Sequence, residues 1–198
     1  IAVDQDVGGV GNVMSLVLNH IERLFPNLFK SGFVYHMRTP LIRAFPKNKK
    51  DTIKEFYSEV AYDEWKHSEF DGLEPPAAKW EIKYYKGLAG HEKPEVKQIT
   101  KLMNKNLIKF DYDKNAPVLF EAYFGKDAAP RKIELATPVA PFKEYADSLE
   151  LPLTVHLRRD TKTFSQAKNY RGFACFSDGL NPSRRKILMG AIDNYRQK

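Results

Sequence analysis

Apolar residues recur at helical spacing near the start of the chain. Val13, Leu16, Val17, Ile21 and Leu24, with His20 among them, fall three and four positions apart. That spacing predicts an amphipathic helix over residues 12–25 with those side chains, His20 included, packed on the core. Pro26-Asn27 stops it. Ile1-Ala2-Val3 reads as the end of a buried strand, and Asp4 to Gly11 as a glycine-rich loop. Strand, loop and helix in that order form an α/β unit, and its loop lies at the strand's carboxyl end, where such folds place ligands.

The pattern then turns to strands. Phe33 to Phe45 is rich in β-formers but interrupted by Pro40, and Thr52 to Tyr57, Trp80 to Tyr85 and Leu107 to Phe110 read as further strands. Ser58 is placed to cap a short helix running through Lys66, and Pro94 fits the first turn of a helix ending near Asn104. Asp71 to Ala78, with Pro75-Pro76, is a loop. After Asp111 the texture changes. Residues 115–150 read as short helices broken at Pro117, Pro130, Pro138 and Pro141, Arg158 to Asn169 as a helix, and Pro182 opens a last helix to about Tyr195. The expected class is α/β with a mixed sheet and flanking helices, followed by a mainly helical part. Expected units are 1–112, 113–170 and 171–198.

Composition narrows the class. The 198 residues are 42% hydrophobic and 29% charged, which suits a folded chain. A net charge of +7 favours an anionic partner such as nucleic acid, while a basic domain that binds none stays open. The single cysteine, Cys175, lies among Phe173, Ala174 and Phe176. It excludes an internal disulfide and is expected to be a buried structural thiol in a reducing compartment. No apolar run approaches a membrane span. The chain starts at Ile1 with no signal-peptide pattern and is expected to be a piece of a longer polypeptide.

Three stretches carry candidate chemistry. Asp4 and Asp6 stand two apart after a strand, so their carboxylates can converge on one hard cation, Mg2+ being the natural one; a plain surface pair is the alternative. Glycines at 8, 9 and 11 would let a phosphate or another backbone approach closely. In Lys83-Tyr84-Tyr85-Lys86-Gly87, two lysines flank a tyrosine pair ahead of a glycine turn, an arrangement that suits either an exposed strand face or a grip on a phosphate backbone. His91 is read as a helix-start residue, and the basic turn Lys47-Asn48-Lys49-Lys50 as a solvated hairpin tip. Arg184, Arg185 and Lys186 follow Pro182, where a solvated helix face and a helix meeting a DNA backbone are both open. No Gly-rich nucleotide-binding loop, zinc ligand set or Ser-His-Asp arrangement stands out.

Several of these segments together resemble a family. Asp4-Gln5-Asp6-Val7-Gly8-Gly9 is similar to the Asp-x-Asp-x-Asp-Gly loop of the Toprim domain of type II DNA topoisomerases, with Gly8 in place of the third acid. Gly32-Phe33 to Thr39-Pro40, Phe56-Tyr57-Ser58 to Tyr62-Asp63-Glu64-Trp65-Lys66, the Lys83 to Gly90 stretch, and Asp178-Gly179-Leu180-Asn181-Pro182 resemble later landmarks of the eukaryotic and large-virus branch, in the same order. The resemblance implies the later part of a Toprim domain (Rossmann-like) over 1–112, a helical connector over 113–170 and the start of a winged-helix domain over 171–198. It also implies Mg2+ at Asp4 and Asp6, and double-stranded DNA near Lys83, Lys86, Arg184, Arg185 and Lys186. The parent enzyme would be a homodimer, nuclear or in a viral factory, that cuts both strands through a tyrosine beyond Lys198 and reseals them using ATP. This piece alone is expected to be inactive. The alternatives are an inactive DNA-binding or scaffold protein of the same descent, and a primase- or nuclease-type Toprim protein.

Overall fold

The computed structural model describes residues 1–48, 52–85, 87, 90–139 and 148–196. Two small sheets organise it. In the first, β1 (Tyr35–Met37) pairs antiparallel with β5 (Leu107–Asp111), and β5 pairs parallel with β6 (Glu150–Pro152). In the second, β2 (Ile42–Pro46) is the centre, with β3 (Lys54–Phe56) and β4 (Trp80–Tyr84) antiparallel on either side. Pro40 cannot donate to a ladder and falls between β1 and β2, where the chain passes from one sheet to the other. The expected mixed sheet is therefore divided in two. The strand β6 lies within the stretch expected to be helical, because three residues give no usable alternation.

Each sheet has its own core. Around the first, Val3, Met14, Leu18, Phe29, Phe110, Leu119, Phe120, Leu151, Leu153 and Leu157 pack together. Phe110 and Leu151 come from the sheet itself, Val3 and Met14 from the N-terminal stretch, and the others from α1 (Ser15–Leu24), α2 (Pro26–Lys30), α6 (Ala116–Phe124), α8 (Leu153–His156) and the helical turn beyond it. This core draws on both sides of residue 112, where the sequence texture changes. Around the second sheet, Ile42, Ala44 and Phe56 meet Tyr62 and Trp65 of α3 (Glu59–Phe70). Ser58 starts that helix by accepting from the Ala61 amide at 3.1 Å, and a left-handed Asp71 (φ 51°) ends it. It runs one turn beyond Lys66. The remaining helices are α4 (Lys93–Lys101), α5 (Met103–Asn106), α7 (Ala128–Ala136), α9 (Lys162–Gly172) and α10 (Pro182–Arg196).

The N-terminal region departs from expectation in three ways. Ile1–Val3 is not a regular strand, although it lies along β1, with the Met37 amide donating to the Ile1 carbonyl at 2.8 Å. Only Asp4 to Asp6 is loop: helical bonding begins with the Val10 amide on the Asp6 carbonyl at 3.0 Å, and Gly9–Met14 forms a π-helical turn leading into α1. Finally, Val13, Leu16, Val17 and His20 are exposed, and the buried residues are Gly9, Gly11, Met14, Ser15 and Leu18. The Cys175 thiol is exposed as well, not buried. Among the described residues no helix is long and apolar enough to cross a membrane.

His36 of β1 is buried against Phe110, with ring centroids 6.5 Å apart. Burial pushes its pKa down to about 4, with the neighbouring His156 adding to the effect. A histidine depressed in the folded state favours folding above its unfolded pKa, and that contribution is lost as pH falls from there toward the folded value. Lowering pH from 7 to 5 is expected to remove about 2 kcal/mol of stability through this group. Urea titrations at both pH values should show that loss, and His36→Gln should flatten it.

Candidate functional site

β4 runs antiparallel to β2 and delivers the glycine turn to the Asp4 loop. The Tyr85 amide donates to the Leu41 carbonyl at 2.9 Å, holding the end of the strand in place. Gly87 then adopts φ +130°, and a Cβ built there would lie 3.0–3.2 Å from the Asp4 carboxylate. The turn therefore sits directly on that carboxylate, and only glycine allows both the backbone angle and the approach. On the other side, a Cβ on Gly9 would meet the Asp4 carbonyl oxygen at 2.0 Å. Asp6 starts the helix: its Oδ1 accepts from the Gly9 amide at 2.7 Å. Gln5 accepts from the Thr39 amide at 3.3 Å, tying the loop to the segment after β1.

The tyrosine pair divides its labour. Tyr84 is exposed and meets Tyr62 edge-on at 5.9 Å, while Tyr85 is buried. Arg43, Glu55 and Lys83 occupy one row across β3, β2 and β4, so two cations stand side by side. Adjacent like charges repel. Glu55 offsets Arg43 at 2.5 Å from one side, an ion pair without hydrogen-bond alignment, and Glu95 of α4 enters from the other, 3.9 Å from Arg43 and 3.2 Å from Lys83. The Tyr85 hydroxyl also donates to Glu95. Burial would raise the Glu95 pKa, but the bonds from Tyr85, the Glu92 amide and Lys83 outweigh it and lower it. Burial would lower Lys83, and its bonds to Glu95 and Glu92 raise it instead. His91, just before α4, stacks on Tyr85 at 4.0 Å.

Of the residues singled out in the sequence, Asp4 and Asp6 lie on one loop beside the Gly87 turn, and Lys83 is ion-paired behind that turn. Lys86 and the Lys49-Lys50 tip lie outside the described residues. Arg184, Arg185 and Lys186 are on α10, which rests on α9. Arg185 grips Asp178 through two bonds of 2.7 and 2.9 Å and draws the Asp178 pKa down to about 2. The Asn181 side chain accepts from the Arg184 amide at 2.9 Å, and the side chains of Arg184 and Lys186 are exposed.

One arrangement escaped the sequence. Ser15 Oγ lies 2.9 Å from His156 Nε2, and His156 Nδ1 lies 3.0 Å from Asp160 Oδ2. Ser15 and the histidine are 141 positions apart, and only the i,i+4 spacing of His156 and Asp160 was visible in advance.

The chain is similar to known proteins in sequence and fold. Residues 37–169 match the family described as the C-terminal associated domain of TOPRIM, and the chain belongs to that family. It is 37% identical over 196 residues to DNA topoisomerase 2 of African swine fever virus, covering 96% of this chain and 16% of that protein. Against the mitochondrial DNA topoisomerase 2 of Dictyostelium discoideum it is 30% identical over 194 residues, covering 97% of this chain and 15% of that protein. The chain thus spans about a sixth of the curated relatives it matches. Its fold is like that of the Plasmodium falciparum topoisomerase II DNA-binding, cleavage and re-ligation domain, with a TM-score of 0.79 over 98% of this chain and 26% of that one, at 24% identity.

Gly87→Ala is expected to destabilise the chain by about 1–3 kcal/mol through its backbone angle and its collision with Asp4. Gly90→Ala is the control, because its Cβ would meet only Tyr85 Cδ1 at 3.7 Å. Denaturant midpoints of the two variants check this; equal midpoints would remove the turn from Asp4.

Proposed function

We propose that the chain is a segment of the DNA-cleavage core of a type II topoisomerase of the eukaryotic and large-virus kind, and that Asp4 and Asp6 help hold its Mg2+. The observation that carries this reading is the glycine turn seated on Asp4, which brings the loop with both acids against a lysine-flanked turn. Sequence similarity over nearly the entire chain to the viral DNA topoisomerase 2 supports it independently.

The donors suit a hard cation. Both are carboxylates, and Asp6 uses one oxygen on the Gly9 amide while retaining acceptor capacity. Among the described residues no three His, Cys, Asp or Glu side chains gather into a metal site. Two carboxylates with water and substrate phosphate completing the shell is the usual Mg2+ arrangement. Bound there, the cation supplies charge stabilisation at the scissile phosphate and leaving oxygen. The chain's own residues do the rest. Glu95 and Glu92 fix Lys83 on the strand that leads to Gly87. Lys86, Arg184 and Lys186 neutralise phosphates; Lys83 and Arg185 act beside them from within their ion pairs. In the full-length protein this core works as a homodimer on double-stranded DNA, with ATP consumed elsewhere in the polypeptide, in the nucleus or a viral factory. The segment alone is inactive.

Two measurements test the reading. In the full-length protein, Asp6→Asn is expected to abolish Mg2+-dependent covalent double-strand cleavage while leaving DNA binding within about twofold; unchanged cleavage refutes the metal role. A wild-type protein that binds DNA but never cleaves it would be the inactive scaffold instead. Replacing Arg184 and Lys186 together by Ala should lower the slope of log affinity against log salt by about 1.8, or roughly 0.9 for each phosphate no longer neutralised.

A further inference from the structure

The Ser15, His156 and Asp160 side chains form a relay that the proposed chemistry does not use. It has the bonding order of a hydrolase triad, yet Ser15 is 1% and His156 0% exposed, so no substrate reaches the hydroxyl. The direction of its bonds follows from counting protons. The Asp160 carboxylate accepts from Arg159 at 2.9 and 3.0 Å, and the His156 Nδ1–H donates to it as well. In the neutral ring Nε2 is then an acceptor, so Ser15 donates to it. Ser15 has no second proton, so Thr161, 2.7 Å away, donates to Ser15. Each proton of the relay then has an acceptor.

The relay joins two particular stretches of helix. Ser15 follows the π-helical turn Gly9–Met14; His156 immediately precedes the π-helical turn Leu157–Thr161, and Asp160 lies within it. Between these stretches the backbones touch. A Cβ on Gly11 would lie 2.4 Å from the Asp160 carbonyl oxygen and 2.7 Å from Phe164 Cβ. Gly11 sets how close the two helices come; the relay sets how the first is rotated about its axis and how far it slides. Asp6 caps that same helix through the Gly9 amide.

We infer that His156 is a positioning residue for the acidic loop: acting through Ser15, it fixes the rotation and height of the helix that Asp6 begins, and so the aim of the Asp4 and Asp6 carboxylates. The part concerning metal rests on the reading of Asp4 and Asp6 as cation ligands; the part concerning the helix does not. Partners bonded directly to a metal ligand commonly change affinity by about 10–100-fold when removed; His156 acts at a further remove, through Ser15 and the helix, so a smaller loss is expected.

The experiment compares wild type with His156→Phe, which keeps a ring but loses both bonds, and with the milder Ser15→Ala. Amide hydrogen exchange is read at residues 7–18 and, as a reference, in β2 and α3. Mn2+ alone is the probe of cation affinity. Expected is exchange about tenfold faster at residues 7–18 with the reference unchanged, and Mn2+ affinity weakened by up to about tenfold in His156→Phe and less in Ser15→Ala. Unchanged exchange, or an equal rise everywhere, overturns the inference, as does a local rise with unchanged Mn2+ affinity. Should wild type bind no Mn2+, the metal reading falls, and the exchange pattern alone decides whether the relay positions the helix.

Discussion

At Gly11 two helices meet backbone to backbone, with no space for a side chain between them. That approach dictates much of what surrounds it. It forces Gly11 to be a glycine and favours the small Ser15 beside it, with Met14 and Leu18 reaching past them into the core, while Gly9 is held small by the Asp4 carbonyl of its own loop. It brings residues 157–164 near enough to Ser15 for a buried histidine to be satisfied. It also anchors the helix whose first turn is the Asp4–Asp6 loop. The family match begins at residue 37, after this helix, and runs to 169, through its partner. The contact thus joins the matched domain to the loop that precedes it.

Charge in this chain is organised in the same economical way. The net +7 suggests a surface of free cations, yet several of the most conspicuous ones are held internally. Arg43 is buried between Glu55 and Glu95, Lys83 is shared by Glu92 and Glu95, Arg159 grips Asp160, and Arg185 grips Asp178. These pairs build turns and fasten sheets to helices. Exposed pairs of this kind contribute little stability each, but they fix direction. A turn clamped by Glu95 presents its backbone in one orientation, and a loop closed by Asp178 presents α10 in one orientation.

The elements with a local cause were legible. Ser58 as a helix cap, Pro94 in a first turn, Pro182 at the start of the last helix and Trp80 to Tyr84 as a strand each follow from one residue or one short pattern. The nearness of Asp4 to the Gly87 turn was legible only as ordered motifs, since 83 positions separate the two and no local signal links them. β6 was lost because it is three residues long and owes its conformation to β5 beside it. Cys175 was misjudged because its aromatic neighbours imitate a buried run, whereas Phe173 and Phe176 are themselves exposed. The relay was invisible because Ser15 looks like an interruption of an apolar pattern, not like the centre of a packed face.

The first helix shows why periodicity predicts an element better than it predicts which face is inside. Val13, Leu16, Val17 and Leu24 do lie on one stripe, and the helix does exist. Taking that stripe as the inner face, however, assumes that helices bury their greasiest side. Here the distance between partners decides the matter: where two backbones must nearly touch, only Gly and Ser fit, so Val13, Leu16, Val17 and Leu24 are turned outward while Met14 and Leu18 are buried to either side of the contact. Small residues where helices meet are therefore a sign of close approach that an apolar count scores as weakness. Reading Gly11, Ser15 and Leu18, spaced four and three apart, as one face would have turned the helix correctly from the sequence alone.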